Sequence, residues 1–210
     1  MIRILIADDH AIVRHGLKQI IEKGGEMCVV AEADRGADAL RKLREIECDV
    51  VLLDVSMPDM SGVDVLKQIH AERPHLPVLI LSIYPEDQYA TRLIKAGAVG
   101  YMTKDSAPPE VVKALLHVAS GKKYISPAVA ELLANELGAT EGKLPHQTLS
   151  DREYQIFLLL AAAQTVTEIA DILSLSVKTI STYRTRILEK MRLDNNAELM
   201  RYAVDNHLAQ

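Results

Sequence analysis

Several polar residues stand where short apolar runs end. Asp8 and Asp9 follow Ile2-Arg3-Ile4-Leu5-Ile6, separated from it by Ala7 alone. Asp54 follows Val50-Val51-Leu52-Leu53, Ser82 follows Val78-Leu79-Ile80-Leu81, and Lys104 comes just after Ala98-Val99-Gly100-Tyr101-Met102. Taken singly each has an ordinary explanation: such an aspartate caps a helix, such a serine makes a turn, and such a lysine sits in solvent. Brought to one place they form a site. Three carboxylates repel one another unless a cation joins them, and clustered carboxylate oxygens suit Mg²⁺. Lys104 and Ser82 would add an ammonium and a hydroxyl at the same edge.

The elements that must bring them together are legible in the same stretch. Those apolar runs, with Cys28-Val29-Val30-Ala31, are nearly continuous, as strands are when helices cover both faces of a parallel sheet. Between them Val13, Leu17, Ile20 and Ile21 form one helical stripe, and Val112, Leu115, Leu116 and Ala119 another. Gly97 stands where a helix should stop and Pro108-Pro109 where the next should start. The alternation implies right-handed crossovers and an α/β fold, a doubly wound five-stranded parallel sheet over residues 1–121. Such sheets bind ligands beyond the carboxyl ends of their strands, where these polar residues lie.

After Gly121 the strand pattern stops. Residues 122–147 read as a linker with a short helix from Ala128 to Leu137, followed by the Gly- and Thr-containing stretch 138–145. Residues 148–210 read as a smaller all-α domain with helices over 151–163, 167–173, 177–191 and 197–208. Ser150 with Glu153 matches a capping box. In the third helix Ile180, Tyr183, Ile187, Leu188 and Met191 recur at core spacing. Lys178, Ser181, Thr182 and Thr185 share another face, flanked by Arg184, Arg186 and Lys190. A charge run is ordinarily a solvated face. Small polar residues edged by cations also suit a helix that enters the major groove of DNA.

The motifs Asp8-Asp9, Asp54-Val55-Ser56-Met57-Pro58-Asp59-Met60-Ser61-Gly62, Leu81-Ser82 and Gly100-Tyr101-Met102-Thr103-Lys104 resemble the receiver domain of two-component response regulators. Leu149-Ser150-Asp151-Arg152-Glu153, Glu168-Ile169-Ala170, Val177-Lys178-Thr179-Ile180 and Ile187-Leu188-Glu189-Lys190-Met191 resemble the LuxR-type helix-turn-helix. The whole chain is therefore similar to NarL/FixJ-family regulators. That resemblance implies a flavodoxin-like receiver in which Asp54 takes a phosphoryl group from a sensor histidine kinase. It implies Mg²⁺ held by Asp9, Asp54 and the Ser56 backbone carbonyl, with Asp8 acting through bound water. Lys104 would pair with phosphoryl oxygens, and Ser82 and Tyr101 would form the switch, Tyr101 filling space that Ser82 vacates. Lys178, Ser181, Thr182, Arg184, Thr185, Arg186 and Lys190 would face double-stranded promoter DNA. Phosphorylation would promote a homodimer, with Leu199 and Tyr202 as candidate contacts. Ala163 stands where this family commonly has glycine, so the first helix of the second domain is expected to end differently.

Composition is compatible with this reading. No apolar run reaches the roughly 18 residues of a membrane helix, and the start lacks the features of a secretory signal, so a cytoplasmic protein is expected. Cys28 and Cys48 supply neither a disulfide framework nor a zinc set. The net charge of −5 argues mildly against nonspecific nucleic-acid binding, yet residues 178–192 hold five basic residues and one acid. A regulator rather than an enzyme is expected: a phosphatase of the haloacid dehalogenase type would want a second aspartate where Ser56 stands. A protein-binding output in place of DNA is the other alternative, and the cations of the third helix argue against it.

Overall fold

The computed structural model describes residues 1–106, 108–138, 144–206 and 208. It divides into two compact units, Met1–Glu136 and Leu137–Gln210. The first unit alternates β1 (Ile2–Ala7), α1 (Ala11–Glu22), β2 (Met27–Ala33), α2 (Gly36–Glu45), β3 (Val50–Leu53), α3 (Gly62–Glu72), β4 (Val78–Ser82), α4 (Glu86–Lys95), β5 (Gly100–Thr103) and α5 (Pro108–Ala119). Every strand pair is parallel, in the order β2-β1-β3-β4-β5. Ile4, Ile6, Val50, Leu52, Leu79 and Leu81 are buried with Leu17 and Ile21 of α1 and Val111, Leu115 and Val118 of α5. The neighbouring strand residues Leu5, Val51, Leu53 and Ile80, which point to the opposite face, are buried as completely. Burial on both faces is why these strands have no polar alternation.

Beyond α5 the first unit continues past Gly121 to Glu136. Tyr124 N–H donates to the Val99 carbonyl at 2.8 Å, and Tyr124 bridges Gly100 in parallel fashion. Only a glycine fits at position 100, because an added Cβ would stand 2.7 Å from the Tyr124 carbonyl oxygen. Ser126 Oγ donates to Glu86 Oε2 at 2.6 Å, and Val129 of α6 (Pro127–Gly138) is buried. Much of the expected linker therefore lies on the receiver; its residues 139–143 are outside the described residues.

The second unit is helical. A 3₁₀ turn at Pro145–Thr148 precedes α7 (Asp151–Ala161), α8 (Val166–Ile172), α9 (Val177–Met191) and α10 (Asn196–Asp205). Ser150, Thr165, Ser176 and Asn195 cap the four helices, each side chain accepting the backbone N–H three residues on. Ile156, Phe157, Ile169, Ile180, Ile187 and Leu199 make its core.

Candidate functional site

The central strands bring the carboxylates together. Ala7 of β1 is paired with Leu53 of β3, so the chain leaves the sheet at Asp8 and Asp54 side by side. Asp54 N–H donates to the Ala7 carbonyl at 2.8 Å and Asp8 N–H to the Ala33 carbonyl at 3.0 Å, which prolongs the ladder beyond the strands. The loop after Asp54 is held by Gly62, whose N–H donates to the Val55 carbonyl at 2.9 Å. A Cβ on Gly62 would meet the Asp54 carbonyl oxygen at 2.4 Å. Asp59 in the same loop is not part of the site. Its carboxylate accepts the Gly36 and Ala37 N–H groups, each at 2.9 Å, and caps α2.

Lys104 closes the pocket from β5. Its N–H donates to the Ser82 carbonyl at 2.7 Å, and its Nζ lies 2.7 Å from Asp8 Oδ2 and 2.7 Å from Asp54 Oδ2. Asp8 and Asp54 are each 2% exposed. Burial pushes the Asp54 carboxyl above the usual carboxylate range; Lys104 opposes this and Asp8 adds to it. Lys104 is held above its ordinary value: burial works against its charge, but Asp54 and Asp8 outweigh it. Ligand atoms of Asp8, Asp9, His10 and Asp54 lie within 4.8 Å of one another. Asp9 Oδ1 is buried and lies 2.7 Å from His10 Nδ1. Three carboxylates converging this closely fit a hard divalent cation. Ser56 N–H donates to Asp54 Oδ1 at 3.1 Å, which places the Ser56 backbone against the same carboxylate.

Ser82 and Tyr101 meet at Tyr84. Ser82 is fully buried, and its Oγ accepts the Tyr84 N–H at 3.2 Å. Tyr101 is 1% exposed, and its hydroxyl donates to the Tyr84 carbonyl at 2.7 Å. Burial pushes its phenol well above the ordinary value. Tyr101 thus lies in the core although β5 is the edge strand of the sheet.

In the second unit, α9 presents Lys178, Ser181, Thr182, Thr185 and Arg186 to solvent. Lys178, Thr182 and Arg186 line one shallow concavity together with Ser176, Thr179 and Tyr183. Thr182 and Thr185 donate their hydroxyls to the Lys178 and Ser181 carbonyls at 3.0 and 3.2 Å. Their hydroxyl oxygens and methyl groups remain to contact a partner. Lys178 and Arg186 carry no ion pair among the described residues. Arg184 differs, its Nε donating to Asn196 Oδ1 at 2.6 Å at the start of α10. Lys190 differs too, its Nζ donating to buried Glu153 Oε2 at 2.7 Å.

Residues 4–116 match the response regulator receiver domain family, and residues 147–203 match the luxR family of bacterial regulatory proteins. The chain is 40% identical to the response regulator GacA of Pseudomonas aeruginosa over 205 residues, 97% of this chain and 96% of that protein. It is 36% identical to the response regulator UvrY of Escherichia coli K12 over 209 residues, 99% of this chain and 96% of that one. The chain belongs to the NarL/FixJ family of response regulators. A solved RcsB of Salmonella enterica serovar Typhimurium, bound to promoter DNA with the phosphomimetic BeF₃⁻, has a TM-score of 0.66. It is 28% identical and covers 97% of this chain and 98% of its own.

For this response regulator the motif residues of the receiver converge as the spacing implied, and α9 exposes most of the expected polar face. Two readings of the second domain change. Leu199 is wholly buried inside its own domain, which removes it as a dimer contact, whereas Tyr202 is half-buried and hydrogen-bonds His146 Nδ1 at 2.8 Å. α7 ends in the ordinary way despite its alanine: Ala163 adopts φ 62° while Gln164 N–H reaches the Leu159 carbonyl at 3.1 Å. Sequence reasoning also passed over His10, which the structure adds to the acidic cluster. The available signal was its place directly after Asp8-Asp9.

Proposed function

We propose that this chain is a phosphorylation-controlled transcription factor of the cytoplasm. Asp54 accepts a phosphoryl group from a sensor histidine kinase, and the phosphorylated chain binds promoter DNA as a homodimer. The observation that carries this reading is the buried Asp54 carboxylate, 2.7 Å from the Lys104 ammonium and beside two more acids. An Asp54 oxygen forms the bond to phosphorus as the bond from phosphorus to the donor histidine nitrogen breaks. Lys104 transfers its ion pairing from Asp54 to a phosphoryl oxygen. Asp9, Asp54 and the Ser56 carbonyl would hold Mg²⁺, with Asp8 acting through bound water. Mg²⁺ supplies charge neutralisation on the phosphoryl oxygens when bound.

Ser82 donates its hydroxyl to the phosphoryl group, and its Oγ already accepts the Tyr84 N–H. The pull on Ser82 therefore reaches the Tyr84 peptide, to which Tyr101 is also bonded. The α4 end beside it moves while the core stays packed. On the second domain the set Lys178, Arg184, Arg186 and Lys190 includes the phosphate contacts, with Lys178 and Arg186 the cations free of an ion pair among the described residues, and Ser181, Thr182 and Thr185 face base edges. A single recognition helix reads few base pairs, and a two-fold dimer doubles the contacts. Sedimentation with and without beryllofluoride and Mg²⁺ tests the assembly step. A shift from monomer to dimer is expected, and an unchanged equilibrium alongside stronger DNA binding would exclude dimerisation as the switch.

A further inference from the structure

We propose that Ser126 and Glu86 form a latch that ties α6 to the receiver, and that phosphorylation of Asp54 opens it. The inference rests on the reading of Asp54 as the phosphoacceptor and says how that event reaches the chain leading to the second domain.

One side of the latch is anchored to the sheet. The Tyr124 N–H donates to the Val99 carbonyl at 2.8 Å, and Tyr124 bridges Gly100 in parallel fashion. That parallel sense carries the chain from the start of β5 toward its carboxyl end, where Ser126 meets Glu86. Ser126 Oγ accepts the Val129 N–H at 3.2 Å, which caps α6, and donates its own proton to Glu86 Oε2 at 2.6 Å.

The other side belongs to the switch. Glu86 is the first residue of α4, two positions after Tyr84. The Tyr84 N–H donates to Ser82 Oγ at 3.2 Å, and the Tyr84 carbonyl accepts the Tyr101 hydroxyl at 2.7 Å. When Ser82 turns to a phosphoryl group on Asp54, the Tyr84 peptide follows and the head of α4 moves with it. Ser126 stays with β5, so the bond of 2.6 Å between them lengthens beyond hydrogen-bond reach.

Little else holds this end of α6. A cleft of about 530 Å³ lies between the head of α4 and α6, and its charged lining residues, Glu86, Asp87 and Glu131, are all acids. Like charges across it repel, so packing does not replace the bond when it breaks. Among the described side chains of α6 only Val129 is buried. A helix of 12 residues is marginal in water by itself, so α6 unwinds once released. Its release adds to the length of chain that joins the two domains.

Hydrogen exchange of the full chain, read by mass spectrometry over residues 124–132, tests this in wild type, Glu86→Ala and Glu86→Gln, each with and without beryllofluoride and Mg²⁺. Glu86→Ala removes the acceptor and leaves the Ser126 cap of α6 in place, whereas Glu86→Gln keeps a carbonyl oxygen for the Ser126 hydroxyl. In wild type, beryllofluoride should speed exchange of the α6 amides on the order of tenfold. Glu86→Ala should exchange at the faster rate without beryllofluoride and gain nothing from it, while Glu86→Gln should respond as wild type does. Fluorine magnetic resonance reports beryllofluoride binding in each sample. Unchanged exchange in wild type that has bound beryllofluoride, wild-type exchange in Glu86→Ala, or Glu86→Gln behaving as Glu86→Ala would overturn the latch and leave Asp54 standing as the phosphoacceptor. If wild type binds no beryllofluoride, the phosphoacceptor reading fails and this inference with it.

Discussion

Two acid–lysine pairs in this molecule have the same length and opposite characters. Asp54 and Lys104 in the receiver, and Glu153 and Lys190 in the second domain, each close to 2.7 Å. Both acids are buried, with side chains 1% and 5% exposed. Asp54 is nevertheless pushed above its ordinary range, by burial first, while Glu153 is held below it. For Glu153 burial also pushes upward, but Lys190 and the Ser150 N–H together outweigh it. Its Oε2 accepts the Ser150 N–H at 2.7 Å in a completed capping box. Asp54 has a second carboxylate beside it and must share its lysine with Asp8. An ion-pair distance alone therefore does not distinguish a reactive acid from a structural one. The surrounding charges do: a satisfied acid stabilises its helix, and an under-compensated one is ready to take an electrophile or a cation.

The largest expected effect breaks the frame that makes Asp54 different. Gly62→Val would force its Cβ into the Asp54 carbonyl, displacing the nucleophile, and should slow labelling from acetyl phosphate by about a hundredfold. Circular dichroism should show the fold retained, and labelling at the wild-type rate would mean that the loop yields. Next, Glu153→Gln should destabilise the second domain by about 1–2 kcal/mol, read as faster hydrogen exchange in α7. Because the folded Glu153 pKa is depressed, its contribution is complete above the unfolded value and is lost as pH falls through the folded one. Wild type and variant should therefore converge in acid.

Asp54→Asn sharpens the comparison with the opposite sign. A raised folded pKa means that ionised Asp54 opposes folding, a cost that is complete above the folded pKa and is lost as the pH falls from there to the unfolded value. Measured in EDTA, the variant should melt higher at neutral pH, and its advantage should vanish as the pH falls. The smallest effect concerns backbone strain. The described receiver residues with positive φ, Gly25, Gly97 and Gly121, are all glycines, whereas Ala163, Ser174 and Arg192 carry that conformation in the second domain. Ala163→Gly should stabilise by about 0–1.6 kcal/mol: roughly 1–2 kcal/mol of left-handed strain is relieved, offset by ~0.4–1 kcal/mol of chain entropy.

The receiver pocket was legible because strand ends impose their own geometry. Once runs of residues such as 50–53 and 78–81 are read as parallel neighbours, Asp8, Asp54, Ser82 and Lys104 have to meet at one edge. Other features had no such period to reveal them. His10 is a loop residue whose direction comes from a turn on Asp8. Helical spacing marks Leu199 and Tyr202 as one apolar face but does not say whether their own domain or a second copy covers it. Polar composition after Gly121 read as a linker, and it concealed Tyr124 pairing beside β5 and the burial of Val129. Lys190 carried the charge of a phosphate contact, while its partner Glu153 lies 37 residues away in sequence.

The central claim is that the chemical state of Asp54 governs the grip of α9 on DNA. Its most direct test is a titration of full-length chain onto a duplex selected from random sequence, with and without beryllofluoride and Mg²⁺, for wild type and Asp54→Asn. The account predicts that beryllofluoride tightens binding by wild type alone. Equal tightening in Asp54→Asn, or none in wild type that has demonstrably bound beryllofluoride, would contradict it.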